Sequence, residues 1–407
     1  MRFQKLDKSY KEDLLNIFRQ VFKSDFRSEV DKFFYEHDST WKYIYGALEN
    51  EKLIATYISF EMEVQIRNKI LSGHYLDGVA TLPTYRNRGI IKQFFYEDVQ
   101  RCKEENIPLI LLDPFKHSYY RKFGFEIVMD KQRFKLDWDF ISAECPCQDY
   151  SIKMGYLHAN QELQDAYKEV KRWIWKNSPY NEMVLPASYE ETKFHVKETL
   201  IAVAYDGANH PQGYILYNVK DESLNINILR YTNLTAFFAL KKHLLSYKDQ
   251  VNKLDFKKIP LDFPVELLID TYWKVGRDVE LLTFPSRMMR ILDVKKLIEE
   301  LIVTPPQTPI CLLVRDEFLP ECQGMYSIST DGRVEKVDQK IADLAIAISD
   351  LAPLLTGRKS ARELYLHGKL EIPDQPIVYH TIEKIPEIVQ KFARCFPKVL
   401  TFNAEEW

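Results

Sequence analysis

The chain lacks any long apolar run. Nowhere in its 407 residues do about 18 apolar residues follow one another, so no helical membrane span is expected. The opening "MRFQKLDKSYKED" is too charged for a signal peptide. A formal charge of −3 and a pI near 6.4 provide no global positive field to collect nucleic acid or an anionic membrane by counterion release. Paired cysteines are also missing: Cys102, Cys145, Cys147, Cys311, Cys322 and Cys395 show no C-x-x-C spacing, so free thiols and no metal are expected, with "CPC" read as part of a linker. Absent too are G-x-x-x-x-G-K-[ST], G-x-G-x-x-G after a strand, and G-x-S-x-G. Those absences speak against a P-loop nucleotide triphosphatase, a dinucleotide fold and a serine-nucleophile hydrolase. The expectation is a soluble, cytoplasmic protein that binds no nucleic acid.

What is present is an ordinary globular mixture, with 46% hydrophobic and 28% charged residues, and 13% aromatics to line cores or clefts. The length alone suggests about two to three domains. "KSYKEDLLNIFRQVF" has helical apolar spacing, and "SEVDKFFYEHD" suggests a second short helix. "YIYGALENEKLIATYISFEMEVQI" reads as two strands joined at the polar turn "ENEK", and "HYLDGVAT" as a third. "GIIKQFFYEDVQRCKEE" is a helix, and "IPLILLD" a buried strand. The helical turn "HSYYRKFG" ends at Gly124, and "FEIVMD" and "RFKLDW" are two further strands. The order α-α-β-β-β-α-β-α-β-β then returns in weakened form: a helix at "QELQDAYKEVKRWIWKN", a hairpin, a strand, the helix "TAFFALKKHLLSYK" and the strand "KLDFKKI". A third unit starts near "RMMRILDVKKLIEEL".

One junction stands out. In "TLPTYRNRGIIKQFF" a strand meets Arg86, Arg88 and Gly89 at the mouth of a helix. Helix starts carry unpaired N–H groups and partial positive charge, and glycine admits a close ligand. Arginines add bidentate hydrogen bonds whose natural target is a phosphate or pyrophosphate. On the pentapeptide "RNRGI" alone, a solvated basic helix start is the more ordinary reading. The corresponding junction of the second copy, "RYTNLTAFF", has no glycine and no second arginine.

These residues resemble the Gcn5-related N-acetyltransferases (GNAT), whose motif [QR]-x-x-G-x-[GA] stands here as "RNRGII", with Ile91 where a small residue is usual. That substitution, "VATLPTYRNRGII" before it and "YYRKFGF" after it, resembles the enhanced intracellular survival (Eis) family, and "ADLAIAISDLAPLLTGRKSARELYLHGKLEI" resembles that family's sterol-carrier-protein-like domain. The resemblance implies an α/β (α+β) chain with mixed central sheets. It would comprise a catalytic GNAT domain over 1–146, a degenerate GNAT-like domain over 147–286 and a sterol-carrier-protein-like α+β domain over 287–407. It implies acetyl-coenzyme A as co-substrate, with pantetheine along the backbone of Val79, Ala80 and Thr81. Pyrophosphate would lie on Arg86, Asn87, Arg88, Gly89, Ile90 and Ile91. It gives Tyr120 the role of general acid and the α-carboxylate of Trp407 that of base, and it implies a homo-oligomer, a hexamer.

An amine must lose its proton to attack a thioester, and the leaving thiolate is helped by a donor, so both roles are chemically required. Without the family spacing, Tyr120 would read as a core tyrosine beside Phe123 and Phe125. His74 and His117 could move protons but read as structural. Asp25 and Glu29 read as surface that could attract a cationic amine, and Glu406 is the better amine partner. The expected reaction is acetyl transfer to an amine of a small polyamine-like molecule or a lysine side chain. The alternatives are a lipid- or ligand-binding protein, or a transferase for another acyl or aminoacyl group.

Overall fold

The structure is a computed structural model that describes residues 1–22, 35–36, 38–178, 181–184, 194, 196–220, 222–269, 279–338, 341–373, 375 and 385–401. The strands are β1 (Arg2–Lys5), β2 (Ile44–Glu49), β3 (Lys52–Ile66), β4 (Lys69–Thr81), β5 (Leu109–Leu112), β6 (Glu126–Ile127), β7 (Asp130–Asp137), β8 (Ser151–Tyr156), β9 (Glu182–Val184), β10 (Leu200–Tyr205), β11 (Pro211–Lys220), β12 (Ser223–Tyr231), β13 (Lys253–Ile259), β14 (Val279–Pro285), β15 (Met288–Ile291), β16 (Ile310–Arg315), β17 (Gly324–Ile328), β18 (Val334–Val337), β19 (Leu344–Ala347) and β20 (Leu370–Glu371). The helices are α1 (Lys11–Phe22), α2 (Ile90–Glu104), α3 (His117–Arg121), α4 (Gln161–Asn177), α5 (Leu234–Leu245), α6 (Val265–Leu268), α7 (Val294–Leu301), α8 (Ile348–Leu355), α9 (Ala361–Leu366) and α10 (Glu387–Cys395).

The chain packs as two units. One comprises Met1–Met129, Met183–Pro186 and Pro285–Thr401, and the other is built from Asp130–Glu182 and Ala187–Phe284. In the first, a sheet runs β1-β2-β3-β4-β5-β15-β6. Its long hairpins close at Asn50–Glu51 and Arg67–Asn68, each pair with positive φ, as two-residue turns matched to strand twist require. α1 buries Leu14, Leu15, Ile17 and Phe18, and α2 buries Ile90, Phe94, Phe95, Val99 and Cys102, the spacing of one helical face.

The same unit holds a five-stranded sheet, β18-β17-β16-β19-β20, with α7 to α10. Polar and aromatic contacts tie it to the first sheet. Arg290 of β15 and Asp316 form a fully buried ion pair, and Arg67 donates from Nε to the Leu355 carbonyl at 2.6 Å. Tyr96 stacks on Phe318 with ring centroids 4.6 Å apart. Gly124 is the residue that lets Arg290 in: its φ is +79°, and a Cβ there would collide with the guanidinium.

The second unit is one seven-stranded sheet, β14-β7-β13-β12-β11-β10-β8. Phe134 and Leu136 of β7 join Phe237, Leu240, Leu254 and Phe256 in its core. Its elements match the sequence reading at α4, the β10–β11 hairpin, β12, α5 and β13.

Two strands depart from that reading. "RFKLDW", expected as the last strand of the first unit, forms β7 of the second sheet, antiparallel to β13 with Phe134 opposite Phe256. Residues 288–291, expected to open the third unit, form β15 of the first sheet, between β5 and β6. Alternation tells which face of a strand is buried; the partner strand is chosen by packing far along the chain. The second opening helix expected at "SEVDKFFYEHD" lies almost wholly outside the described residues.

Candidate active site

β4 and β5 run parallel only at His74↔Ile110, Tyr75↔Leu111 and Leu76↔Leu112, after which β5 ends and β4 continues to Thr81. On its other side β4 stays paired to β3, except for a register shift opposite Tyr57 that takes up Gly78 and Val79. Gly78 has a φ of +57°, the bulge conformation that glycine adopts without strain. Among the described residues the β5-facing edge of residues 77–81 has no strand partner; the Gly78 N–H donates to Asp77 Oδ1 at 2.7 Å, and Val79 and Thr81 line a cleft.

Beside that edge the chain makes a short turn at Pro83–Tyr85 and enters α2. Asn87 and Gly89 both have positive φ, at 63° and 76°, which turns the backbone so that Gly89 caps the helix without any side-chain cap. The first-turn N–H groups are thus uncapped, and a Cβ at Gly89 would meet no atom within 4 Å. Arg88 lies over the Tyr85 ring, 4.7 Å from its centroid, and pairs loosely with Glu49 at 3.5 Å. Arg86 leans back to the Thr81 carbonyl at 3.4 Å. Both arginines are exposed.

A cleft of about 620 Å³ opens at this point. Its wall contains Val79, Thr81 and every residue from Arg86 to Ile91, all named by the sequence. Ala80, the remaining cofactor candidate, is buried and does not reach the wall. Sequence reasoning missed Lys92, Lys122, Phe115 and Tyr119, which also line the cleft. Lys92 was legible as a first-turn residue three positions after Gly89; the others are brought in by α3, whose placement is tertiary. Phe115 is 72% exposed, so the cleft offers apolar as well as cationic surface.

Tyr120 is 3% exposed and packs against Phe95, Phe115, Tyr119 and Phe125. It lies behind Tyr119, which faces the cleft. Burial raises its phenol well above the ordinary tyrosine value, and Tyr119 and the Asp77 carboxylate add to the shift, so the hydroxyl keeps its proton through the neutral range. His117 sits at the start of α3, and its buried Nε2 has no partner among the described residues. His74 is not at the cleft; it is buried against α2. Asp25, Glu29, Glu406 and Trp407 lie outside the described residues.

The second unit repeats the strand arrangement but caps the helix mouth. β12 and β13 pair in parallel from Ser223↔Lys253 to Ile226↔Phe256. Here α5 is capped by Asn233, whose Oδ1 accepts the Ala236 N–H at 2.9 Å. A side chain occupies the position that Gly89 leaves free in the first unit.

Comparison with known proteins accords with this geometry. Residues 2–128 and 172–291 each match an acetyltransferase (GNAT) domain, and residues 294–401 match a sterol carrier protein domain. Two curated relatives from Streptomyces griseus, described as uncharacterized N-acetyltransferases, are 24% identical over 357 residues, 80% of this chain and 82% of theirs. A protein of Enterococcus faecalis, described as a probable N-acyltransferase, shares the fold with a TM-score of 0.82 at 19% identity, over 100% of this chain and 99% of its own. Eis1 from Mycobacterium abscessus does so with a TM-score of 0.79 at 17% identity, over 100% of both chains. At such identities the likeness is one of fold. The domains and the open strand-to-helix junction together define a GNAT acyltransferase. Within that class the chain has two GNAT domains followed by a sterol carrier protein domain, and it shares its fold with Eis1.

Proposed function

We propose that the protein transfers the acetyl group of acetyl-coenzyme A directly to an amine, either of a small polyamine-like molecule of the aminoglycoside kind or of a lysine side chain. The observation that carries the reading is the uncapped mouth of α2 at Gly89 beside the unpaired edge of β4, with room for a ligand where a Cβ would stand. Such a mouth favours an anion. Arg86, Arg88, Lys92 and Lys122 add positive charge around the cleft, which suits the pyrophosphate of coenzyme A. The half-buried edge at Val79 suits the extended, amide-bearing pantetheine arm. The thioester supplies an activated acetyl group.

The chain's own residues then have two tasks. One is to give a proton to the departing sulfur, for which Tyr120 is the candidate: it is buried, it stays protonated, and it lies one residue from the cleft wall. The other is to take a proton from the amine. The resemblance assigns this to the terminal carboxylate of Trp407. A protein extended beyond Trp407 should bind acetyl-coenzyme A and lose turnover; unchanged turnover in it would remove the role. Asp77, whose charge is felt by Tyr120, would favour a protonated amine near that hydroxyl. The hexamer implied by the family resemblance belongs to this same reading.

Calorimetric titration with acetyl-coenzyme A, followed by an amine screen with thiol release as readout, tests the proposal. Binding at micromolar concentrations and turnover with polyamine-like amines are expected. Absence of binding would overturn it, and preference for longer-chain thioesters would replace acetyl with another acyl group.

A further inference from the structure

The face of α2 that packs on the first sheet carries a buried polar group, Asp98, and one turn later Cys102. Residues four apart on a helix lie side by side, so carboxylate and thiol point the same way. They meet His74 of β4 and Ser59 of β3. Asp98 and Cys102 are 0% exposed and His74 3%, so whatever joins them is screened from water.

The distances converge on one atom. His74 Nδ1 lies 3.1 Å from Ser59 Oγ, 3.2 Å from Cys102 Sγ and 3.4 Å from each carboxylate oxygen of Asp98. Ser59 Oγ donates to Asp98 Oδ1 at 2.7 Å, so the single hydrogen or lone pair on Nδ1 is left to serve both the Cys102 sulfur and the Asp98 carboxylate. Around a tetrahedral Zn²⁺, with bonds of about 2.0–2.3 Å to nitrogen, oxygen and sulfur, ligand atoms stand about 3.2–3.7 Å apart. The separations from His74 Nδ1 to Cys102 and Asp98 fall in that interval, and the ligand atoms of His74, Asp98 and Cys102 lie within 4.8 Å of one another. The other ring nitrogen, Nε2, is 3.1 Å from Glu105 Oε2. A carboxylate there holds the hydrogen on Nε2 and leaves the Nδ1 lone pair for a metal, the usual outer partner of a zinc-bound histidine.

We propose that His74, Asp98 and Cys102 form a structural Zn²⁺ site, with a water in the fourth position and Ser59 as the hydrogen-bond partner that orients the Asp98 carboxylate. The charges close: a divalent cation and Arg101, which pairs with Asp98, balance the Cys102 thiolate, Asp98 and Glu105. Binding forms the Zn–S bond and releases the thiol proton to solvent. The site clamps the second half of α2 to β3 and β4, about 14–20 Å along the helix from Gly89, so it steadies the helix that opens the cleft without touching a reactant. It is independent of the substrate reading above. The sequence cue, D-x-x-x-C on a helix with a strand histidine upstream, lies outside the C-x-x-C patterns that led to an expectation of no metal.

The test uses the full chain. Chelator-stripped wild type titrated with Co²⁺ should take up one equivalent, with visible ligand-field bands and a sulfur-to-cobalt charge-transfer band, and Zn²⁺ should displace it and raise the melting temperature. Cys102→Ala should lose the charge-transfer band, whereas a Cys145→Ser/Cys147→Ser variant should keep it. Glu105→Gln, at the surface end of the cluster, should weaken Zn²⁺ binding about 10- to 100-fold. A folded, stripped wild type that shows no charge-transfer band would overturn the site, as would a band that survives Cys102→Ala.

Discussion

Tyr120 and Gly89 illustrate how a single residue's role depends on what surrounds it. Burial, then Tyr119 and Asp77, raise the Tyr120 phenol, so its proton is available for transfer but not lost to solvent. Tyr120→Phe keeps the ring and its packing against Phe95 and Phe125. The expected outcome is a fall in turnover of about 10²-fold or more with acetyl-coenzyme A affinity unchanged, measured by steady-state kinetics beside calorimetry. Wild-type turnover would exclude the role. At Gly89 nothing blocks a methyl group sterically, but φ is +76°. Gly89→Ala should therefore cost about 1–2 kcal/mol in backbone strain while placing a methyl at the helix mouth. Acetyl-coenzyme A binding should weaken by more than that stability loss explains, as read by comparing calorimetric affinity with the melting curve.

At the scale of elements, helix ends decide both binding and stability. α2 begins uncapped and faces the cleft, whereas α5 begins under the Asn233 side chain. α9 has a full capping box: Ser360 and Glu363 each bond the other's backbone, and Lys398 approaches Glu363 at 2.9 Å. Burial opposes ionisation of Glu363, but the Ser360 hydrogen bonds and Lys398 outweigh it and hold its carboxyl down at about 2. A depressed carboxylate stabilises the fold above its unfolded value of about 4.3, and that contribution is lost as pH falls toward 2. Glu363→Gln should thus be less stable than wild type at pH 7, and the gap should narrow between about pH 4.5 and 2. Denaturant unfolding across that range measures it; a gap that did not change with pH would show that the carboxylate charge contributes nothing.

Across the whole molecule the chain exchanges strands: β7, next in sequence to the first sheet, completes the second, and β15, from far downstream, completes the first. A fragment of residues 1–146 would lack β15, leaving β5 and β6 without the strand between them and exposing the apolar edge of Ile110, Leu111 and Leu112. It would also lose Arg290 and its partner Asp316. Unpaired edges of that kind aggregate. The fragment is expected to be insoluble or unfolded by circular dichroism; a folded fragment that binds acetyl-coenzyme A would show that β15 is dispensable.

The sequence by itself determined the local events. It set the helix and strand periods, the turn at Gly89, the residues from Arg86 to Ile91 on the cleft wall, and the weakened second junction. These follow from side-chain pattern and backbone freedom within a few residues. The strand and the two helices broken at Gly357 were legible in the same way, while the sterol-carrier-like character of that segment came from family resemblance. Only the tertiary structure decided which sheet β7 and β15 join. It also set Tyr119 rather than Tyr120 at the cleft surface, brought Lys122 and Phe115 beside the helix mouth, and gathered His74, Asp98 and Cys102 around one point. Each of those outcomes depends on contacts between residues far apart in the chain, where hydrophobic burial and charge pairing choose the partner and local pattern carries no information about it.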